Sequence, residues 1–290
     1  MAKRMGAAQA RELGDELRRY REQAGISGHV LADRLGWSVS TVSRVENGLT
    51  RISEIDVVRY AAHCGLDADD MDLLLSLCRD RGAPGYWMTH RLRTLVLQEN
   101  AAESSESYDP LVVPGLLQTE EYATELIGVE ELEPTIARHR VWMRMERQRV
   151  VHGRPHSFFV HEQALRLPVG SSRVMNEQLL KLVLLAEQPH VSIRVVPAAP
   201  GARSMFGVGF VILRYSGHDP LVYLDSANIY LEGFAHVAKY ANKLTRLSEV
   251  ALSKGESREW LAALASEFDR PEDSPDAPDH LAKEQLQRGI

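Results

Sequence analysis

The sequence has few of the features that mark specialised classes of protein. Only 2 of its 290 residues are cysteine, which argues against a disulfide scaffold. Cys64 and Cys78 are too far apart for a CxxC metal or redox motif, so we expect reduced thiols on the inner sides of helices. No apolar run approaches the roughly 20 residues of a membrane-spanning helix, and the first residues lack the apolar segment of a secretory signal. These absences favour a cytoplasmic protein.

Length and charge predict a chain of two parts. A length of 290 residues is about twice that of a usual domain, and 44% hydrophobic and 26% charged residues are typical of soluble globular proteins. The net charge of −6 is unevenly distributed. Residues 1–66 contain ten Lys and Arg against eight Asp and Glu, whereas residues 67–80 contain five acids and only Arg79. A mildly basic head before an acidic body permits DNA binding without requiring it.

The first 82 residues predict a compact domain of five short helices. Apolar residues recur at helical spacing from Arg11 onward, and Gly25 ends this first helix. Ser27 and Ser38 stand where N-caps are expected, and Gly36 ends the helix that Ser27 begins. Further helices are predicted at 39–46, 53–64 and 69–81. The connection through Gly36 has the length of a helix-turn-helix.

Beyond residue 82 the pattern changes to mixed helices and strands. We predict a helix at 87–100, an arginine-rich helix at 134–152, and further helices at 172–187, 233–247 and 257–268. Strands are predicted at 157–161, 191–197, 208–215 and 221–225. Residues 83–270 are therefore interpreted as an α+β domain with a small, mostly antiparallel sheet covered by helices. The Pro- and Asp-rich segment 271–290 is expected to be disordered.

The helix predicted at 39–46 has two chemically distinct faces, at about 100° per residue. Its apolar residues fall on one face: Val39, Val42 and Val45. The opposite face is polar and carries one long cation: Ser40, Arg44 and Asn47. Thr41 and Ser43 lie on the flanks. An arginine can bond both acceptors of guanine in the major groove, and serine or threonine can serve several base edges. The same pattern is also typical of a solvated surface helix.

Residues 13–50 resemble the XRE-type helix-turn-helix regulators, the family of the phage lambda repressors. The matching string is LGDELRRYREQAGISGHVLADRLGWSVSTVSRVENGLT, and its SRVENG segment is the most specific part. The resemblance implies that residues 39–47 are a recognition helix that binds double-stranded DNA. With the helical geometry, it gives four base-edge candidates: Val39, Ser40, Thr41 and Arg44. The phosphate-contact candidates are Ser27, Gly28, Ser38, Ser43 and Arg51.

Two further residues gain meaning from this resemblance. Glu46 matches an acid that pairs with an arginine on the first helix, which here is Arg21. Gly28 departs from the family, which usually has glutamine at the second position of helix two, where it bonds a phosphate and the recognition helix. At Gly28 only the backbone N–H can donate a hydrogen bond to a phosphate.

The rest of the chain is similar to the large C-terminal domain of actinomycete XRE-type regulators, including the WhiJ-like developmental proteins. The matching strings are VPGLLQTEEYATELI, RMERQRV, HEQALRLPVG, VMNEQLLKLVLLAEQPHVSIRVVP and LVYLDS. The resemblance implies a transcriptional regulator. It also implies an antitoxin-like character, because members of this family pair with a small protein.

The arginine-rich helix supports two interpretations. Arg140, Arg144 and Arg147 lie at i, i+4 and i+7, so they share one face. An unpaired cluster would attract an anion or an acidic partner. Alternatively, the arginines pair with acids such as Glu146, Glu162 or Glu177 and form a solvated structural face.

We therefore expect a sequence-specific DNA-binding transcriptional regulator. One recognition helix reads only a few base pairs, which favours a homodimer on an inverted-repeat operator. The alternative is an antitoxin-like protein whose main role is to bind a small cognate protein. The partner of the C-terminal domain is then either such a protein or a small-molecule signal. No assembled nucleophile, metal-ligand set or cofactor loop is evident, so we expect no enzymatic activity, no cofactor and no metal.

Overall fold

The computed structural model describes residues 7–50, 52–79, 86–88, 92–225 and 229–269. These residues form two compact units. The first comprises the described residues of Met1–Ala101 and Arg214–Ala238, and the second those of Ala102–Leu213 and Lys239–Ile290. The predicted domain boundary at 82/83 and the predicted disordered tail at 271–290 lie outside the described residues.

The first unit begins with five helices, as predicted. They are α1 (Ala7–Gln23), α2 (Gly28–Leu35), α3 (Val39–Glu46), α4 (Glu54–Cys64) and α5 (Ala68–Arg79). Serine side chains cap α2, α3 and α4 by accepting a backbone N–H in the first turn of each helix. α2 and α4 end at glycines in the left-handed conformation, Gly36 and Gly65, where a side chain would be strained.

The apolar faces of these helices form one core. Its fully buried members come from α1, α2, α4 and α5, and include Leu17, Leu31, Val57, Tyr60 and Leu74. Cys64 is buried and Cys78 is half-buried, and both pack on the inner sides of their helices as predicted. Burial raises the pKa of the Cys64 thiol to about 11.

The described residues of the first unit also form another complete helix and three strands. Residues 87–100 were predicted as one helix, and this prediction is wrong at its start. Tyr86–Met88 form strand β1, which pairs with β7 (Ile229–Glu232), and the helix α6 spans only Leu92–Ala101. β7 also pairs antiparallel with β6 (Leu221–Leu224). The aromatic residues of the Tyr86–Met88 segment suit a strand once a partner strand is available.

The second unit alternates strands and helices. In chain order it contains β2 (Ser104–Asp109), α7 (Glu120–Glu130), α8 (Pro134–Arg147), β3 (His156–His161), α9 (Glu162–Arg166), α10 (Ser172–Ala186), β4 (Val191–Val196) and β5 (Phe210–Arg214). The greater part of α11 (Phe234–Val250) and the whole of α12 (Lys254–Phe268) complete it. α10 and α12 contribute Leu179, Leu182 and Leu261 to the core beneath β3 and β4.

The α+β class is confirmed, but the sheet is mixed rather than mostly antiparallel. The strand order in the second unit is β5-β2-β3-β4, and β3 pairs parallel with both β2 and β4. His156 lies opposite Ser105 on one side and Val191 on the other. The helices between these strands explain the orientation, because a helical crossover returns the chain to the same end of the sheet.

Within the described ranges, no helix has both the length and the apolar character needed to cross a membrane. In the same part of the chain, no three His, Cys, Asp or Glu side chains are grouped so that they could hold a metal ion.

Candidate nucleic-acid interface

A tight turn joins α2 to α3. Gly36 has a φ of 70°, and its N–H bonds the carbonyls at the end of α2. The N–H of Trp37 then donates to the Ala32 carbonyl at 2.9 Å. Ser38 begins α3 directly, because its Oγ accepts the N–H of Thr41 at 3.1 Å. The turn is therefore fixed by backbone bonds, and the direction of α3 is set relative to α2.

The two faces of α3 agree with the helical pattern. Val42 and Val45 are 1% and 3% exposed and pack in the helical core. Val39 is 50% exposed, so it lies at the edge of the core and reaches the solvent. The solvent-exposed polar residues of the opposite side are Ser40, Ser43, Arg44 and Asn47. The helix thus presents a continuous polar surface with one apolar side chain beside it.

Three hydroxyl groups cluster at the start of α3. The Oγ of Ser38 lies 2.8 Å from the Oγ of Ser40 and 2.8 Å from the Oγ1 of Thr41. Each hydroxyl can donate and accept, so the cluster can turn its donors toward an acceptor that approaches from outside. Ser38, Ser40 and Thr41 are thereby brought together.

The phosphate-contact candidates are distributed over several positions. Ser27 caps α2, with its Oγ accepting the N–H of Val30 at 3.3 Å. Gly28 is the first residue of α2, and a Cβ added there would meet nothing within 4 Å. Ser43 lies near Asn47, whose Nδ2 donates to the Ser43 carbonyl at 2.7 Å. Arg51 lies outside the described residues.

Arg44 is the one candidate whose charge projects freely from α3. Its side chain is exposed and has no hydrogen-bond or ion-pair partner among the residues that the structure describes. The backbone carbonyl of Arg44 accepts the N–H of Leu49 at 2.8 Å, which closes the end of the helix. The backbone is thus anchored while the guanidinium is available to an outside acceptor.

Glu46 faces inward and links three helices. It is 6% exposed, and its carboxylate accepts hydrogen bonds from Arg21 of α1 at 2.7 and 3.0 Å. The hydroxyl of Tyr60, in α4, donates to Glu46 Oε1 at 2.6 Å. Burial raises the pKa of the Glu46 carboxyl, but the bonds from Arg21 and Tyr60 outweigh burial and leave the pKa below its usual value. The pairing of Glu46 with Arg21 is confirmed.

Sequence reasoning missed Arg18 as a support for α3. Its Nε donates to Glu46 Oε2 at 3.3 Å, and its Nη2 donates to Asn47 Oδ1 at 2.6 Å. Asn47 therefore bonds α1 through Oδ1 and Ser43 through Nδ2. The available signal was spacing, because Arg18 lies one turn before Arg21 on α1.

Two glycines allow α1 to approach the end of α3 closely. A Cβ at Gly14 would lie 2.5 Å from the carbonyl oxygen of Val45, and a Cβ at Gly48 would lie 2.6 Å from the backbone N of Arg11. Gly48 also has a φ of 67°. An isolated glycine within a predicted helix, as at Gly14, is the sequence signal for such a contact.

The arginine face of the second unit is engaged in polar contacts. Arg140 lies 3.3 Å from Glu131, and Arg144 donates to Gln118 Oε1 at 2.9 Å. Arg147 also has an interaction within the protein. The acids considered from the sequence have other partners: Glu146 pairs with Arg149, Glu162 with Arg166, and Glu177 with Arg173.

Two parts of the chain match known families. Residues 12–74 match a helix-turn-helix domain, which includes α2, the turn and α3. Residues 92–263 match a family described as a domain of unknown function, DUF5753. No curated protein matches the chain.

Proposed function

The chain belongs to the DUF5753 family and carries a helix-turn-helix domain ahead of it, and we propose that it is a sequence-specific DNA-binding transcriptional regulator without enzymatic activity. The observation that carries the proposal is the outward face of α3. That face combines a cluster of hydroxyl groups with an exposed arginine that has no partner among the described residues, and these are the donors that read base edges in the major groove.

Each residue of the face has a role in this proposal. Arg44 donates to guanine, and the hydroxyls of Ser40 and Thr41 contact base edges. The exposed Val39 side chain makes apolar contact with a thymine methyl group. The contacts to phosphates position the protein but do not read the base sequence. They come from Ser27, Gly28, Ser38, Ser43 and Arg51.

The contacts behind α3 support the proposal because a reading helix must be held rigidly. Glu46 and Asn47 connect the end of α3 to Arg21 and Arg18 of α1. Gly14 lets the backbones of α1 and α3 approach closely. The hydrogen-bond donors on the outer face are therefore carried by a helix that is held rigidly against α1.

We further propose a homodimer on an inverted repeat. α3 has eight residues, which is enough to read only a few base pairs. A two-fold dimer places two such helices on half-sites separated by about one turn of DNA, or a multiple of it.

A protein-binding role for the second unit is the second candidate, and exposed apolar residues favour it. Val129, Leu132 and Ile136, around the turn between α7 and α8, are 80%, 88% and 46% exposed. Exposed apolar side chains grouped in this way are typical of association surfaces. A second copy of the chain or a small cognate protein could cover them. The partner or anion site at Arg140, Arg144 and Arg147 stays a prediction.

Selection from a library of random DNA duplexes tests the regulator directly. The full chain is mixed with the library at near-physiological salt, and the retained duplexes are sequenced. We expect one inverted repeat to be enriched. If duplexes are retained without any enriched sequence, and a modest rise in salt releases them, the helix-turn-helix domain binds only the charge of the DNA phosphates. That result would overturn the proposal.

The mass of the complex tests the dimer separately. Sedimentation of the full chain with one selected duplex is expected to give two chains per duplex. Leu132→Glu, which puts a charge on the exposed apolar turn, is expected to weaken self-association if that turn is the interface. Thr135→Glu, an exposed neighbour, is the matched control. One chain per saturated duplex would contradict the dimer.

A further inference from the structure

A cavity of about 400 Å³ lies within the first unit. Its walls come from α1, from the C-terminal end of α3, from α6 and from the segment 215–218 that follows β5. Small-molecule sites usually have volumes of about 300–1,000 Å³, so the cavity can hold a small organic molecule. Apolar wall residues alternate with polar ones, as in ligand pockets: Leu49, Leu97 and Ala101.

Arg11 is the most unusual residue of the wall. Its guanidinium stacks on the ring of Tyr215 at 4.1 Å, and Nη2 donates to Gln98 Oε1 at 2.7 Å. Nε and Nη1 are buried and have no hydrogen-bond partner among the residues that the structure describes. In that same part of the chain, no carboxylate lies within ion-pair distance of Arg11. A buried cation with a single neutral acceptor is costly unless an anion approaches it.

The negative groups near Arg11 do not fully offset the effect of its burial. Burial lowers the pKa of Arg11, and Tyr215 and Glu232 offset only part of that effect. Burial and then the charge of Arg11 lower the pKa of His218, although Asp219 opposes them, so His218 is neutral at neutral pH. Of the two acids in the wall, Asp15 has an interaction of its own and Glu46 already accepts bonds from Arg18, Arg21 and Tyr60.

The same cavity borders the recognition helix. Glu46, Asn47 and Leu49 line it where α3 ends, and Arg18 lines it from α1. Arg18 is also the residue whose Nη2 donates to Asn47 Oδ1 at 2.6 Å. A molecule in the cavity would therefore touch the residues that hold the end of α3.

We propose that this cavity binds a small organic carboxylate, with the anionic group held on the Arg11 side and the apolar part against Leu49, Leu97 and Ala101. The carboxylate supplies a negative charge beside a guanidinium that has no carboxylate partner among the described residues. Such a ligand is a signal molecule, because its site includes the support of α3. This last step rests on the proposed DNA-binding function, whereas the binding site itself does not.

Binding is measured on the full chain without DNA, so that the result is independent of the proposed function. The probes are benzoate and phenylacetate, and their matched neutral controls are benzamide and phenylacetamide. Titration calorimetry and the shift in melting temperature report binding. We expect saturable binding of the carboxylates with Kd values of about 1 mM, as for a fragment with about ten non-hydrogen atoms. The amides are expected to bind at least about tenfold more weakly, since they lack the charge.

Two variants locate the site. Arg11→Gln removes the charge and is expected to abolish the preference for carboxylate over amide. Ala101→Trp fills the cavity from an exposed wall position and is expected to block both kinds of probe. Arg19→Gln is the matched control, because Arg19 lies on α1 and outside the cavity wall and pairs with Glu16. This variant is expected to bind like the original protein.

The outcomes separate the two parts of the inference. No saturable carboxylate binding up to about 10 mM, or equal binding of acids and amides, overturns the site, because a charged pocket must distinguish them. Binding that survives Ala101→Trp overturns its location. If the carboxylate binds at the site but changes the affinity for a selected DNA duplex less than about twofold, the link to α3 is overturned while the site stands.

Discussion

The guanidinium of Arg21 donates to both carboxylate oxygens of Glu46, from Nε to Oε1 at 2.7 Å and from Nη2 to Oε2 at 3.0 Å. This bidentate ion pair joins α1 to the inner side of α3. It is protected from water, since the side chains of Arg21 and Glu46 are 12% and 5% exposed. The pair is therefore a fixed link behind the face that we propose reads DNA.

Glu46→Gln should destabilise the protein at neutral pH. The amide cannot neutralise Arg21, and breaking a buried ion pair by removing one partner costs about 3–5 kcal/mol. The free energy of unfolding from urea titration of the full chain measures this loss. Asp33→Asn is the control, because that acid is 76% exposed and its loss should cost less than about 0.5 kcal/mol. Equal effects of the two substitutions would show that the pair does not stabilise the fold.

The same pair predicts how stability depends on pH. Burial raises the pKa of Glu46, but the bonds from Arg21 and Tyr60 bring it below the value of an unfolded glutamate, about 4.3. The unfolded chain therefore binds the proton more readily, and stability must fall as pH falls. The contribution is complete above the unfolded pKa and is lost as pH falls through the folded one. Between about pH 6 and pH 3 we expect a steeper fall for the original protein than for Glu46→Gln.

Gly14→Ala should destabilise the protein although alanine favours helices. The new Cβ would lie 2.5 Å from the Val45 carbonyl, so α1 and α3 must separate, and overpacking of this kind costs about 1–3 kcal/mol. Gly128→Ala is the matched control, because Gly128 lies in α7 with nothing within 4 Å of the new Cβ. That change should stabilise by up to about 1 kcal/mol. Melting temperatures of the two variants check the prediction, and shifts of the same sign would contradict it.

The sequence predicted α2 and α3 well because local chemistry determines them. Ser27 and Ser38 are serine N-caps, and Gly36 is in the left-handed conformation that ends α2. The valine spacing of α3 identified its buried face. These are interactions within one or two turns, which a sequence displays directly.

The missed elements depend on distant parts of the chain. β2 has the polar sequence SSESYD and becomes a strand through parallel pairing with β3, where the Ser105 hydroxyl lies 2.7 Å from His156 Nδ1. β7 has four residues, too few for a pattern of its own. Arg18 and Tyr60 reach Glu46 only after α1 and α4 pack together. Tertiary contacts decide such residues, and spacing alone does not reveal them.

Gly28→Gln should strengthen DNA binding. Gly28 is the first residue of α2, and a Cβ added there would meet no atom within 4 Å. By the resemblance to XRE-type regulators, a glutamine here would bond a phosphate and the recognition helix. One added hydrogen bond, worth about 1 kcal/mol, corresponds to about a fivefold gain in affinity. Gly28→Ala separates this bond from improved helix propensity, since alanine gives only the latter. An equal gain for both variants would exclude a role for the amide.

The most direct test of the account is the base preference of Arg44→Ala on a selected operator. Affinities of the original protein and the variant are measured for the operator and for duplexes with each base pair of one half-site replaced. We predict a loss of about 1–3 kcal/mol for the operator and relaxed preference at a single base pair, with unchanged melting temperature. Arg34→Ala, which removes an exposed charge from α2, is the control and should retain every preference. Unchanged operator affinity, or a uniform loss across all duplexes, would contradict base reading by α3.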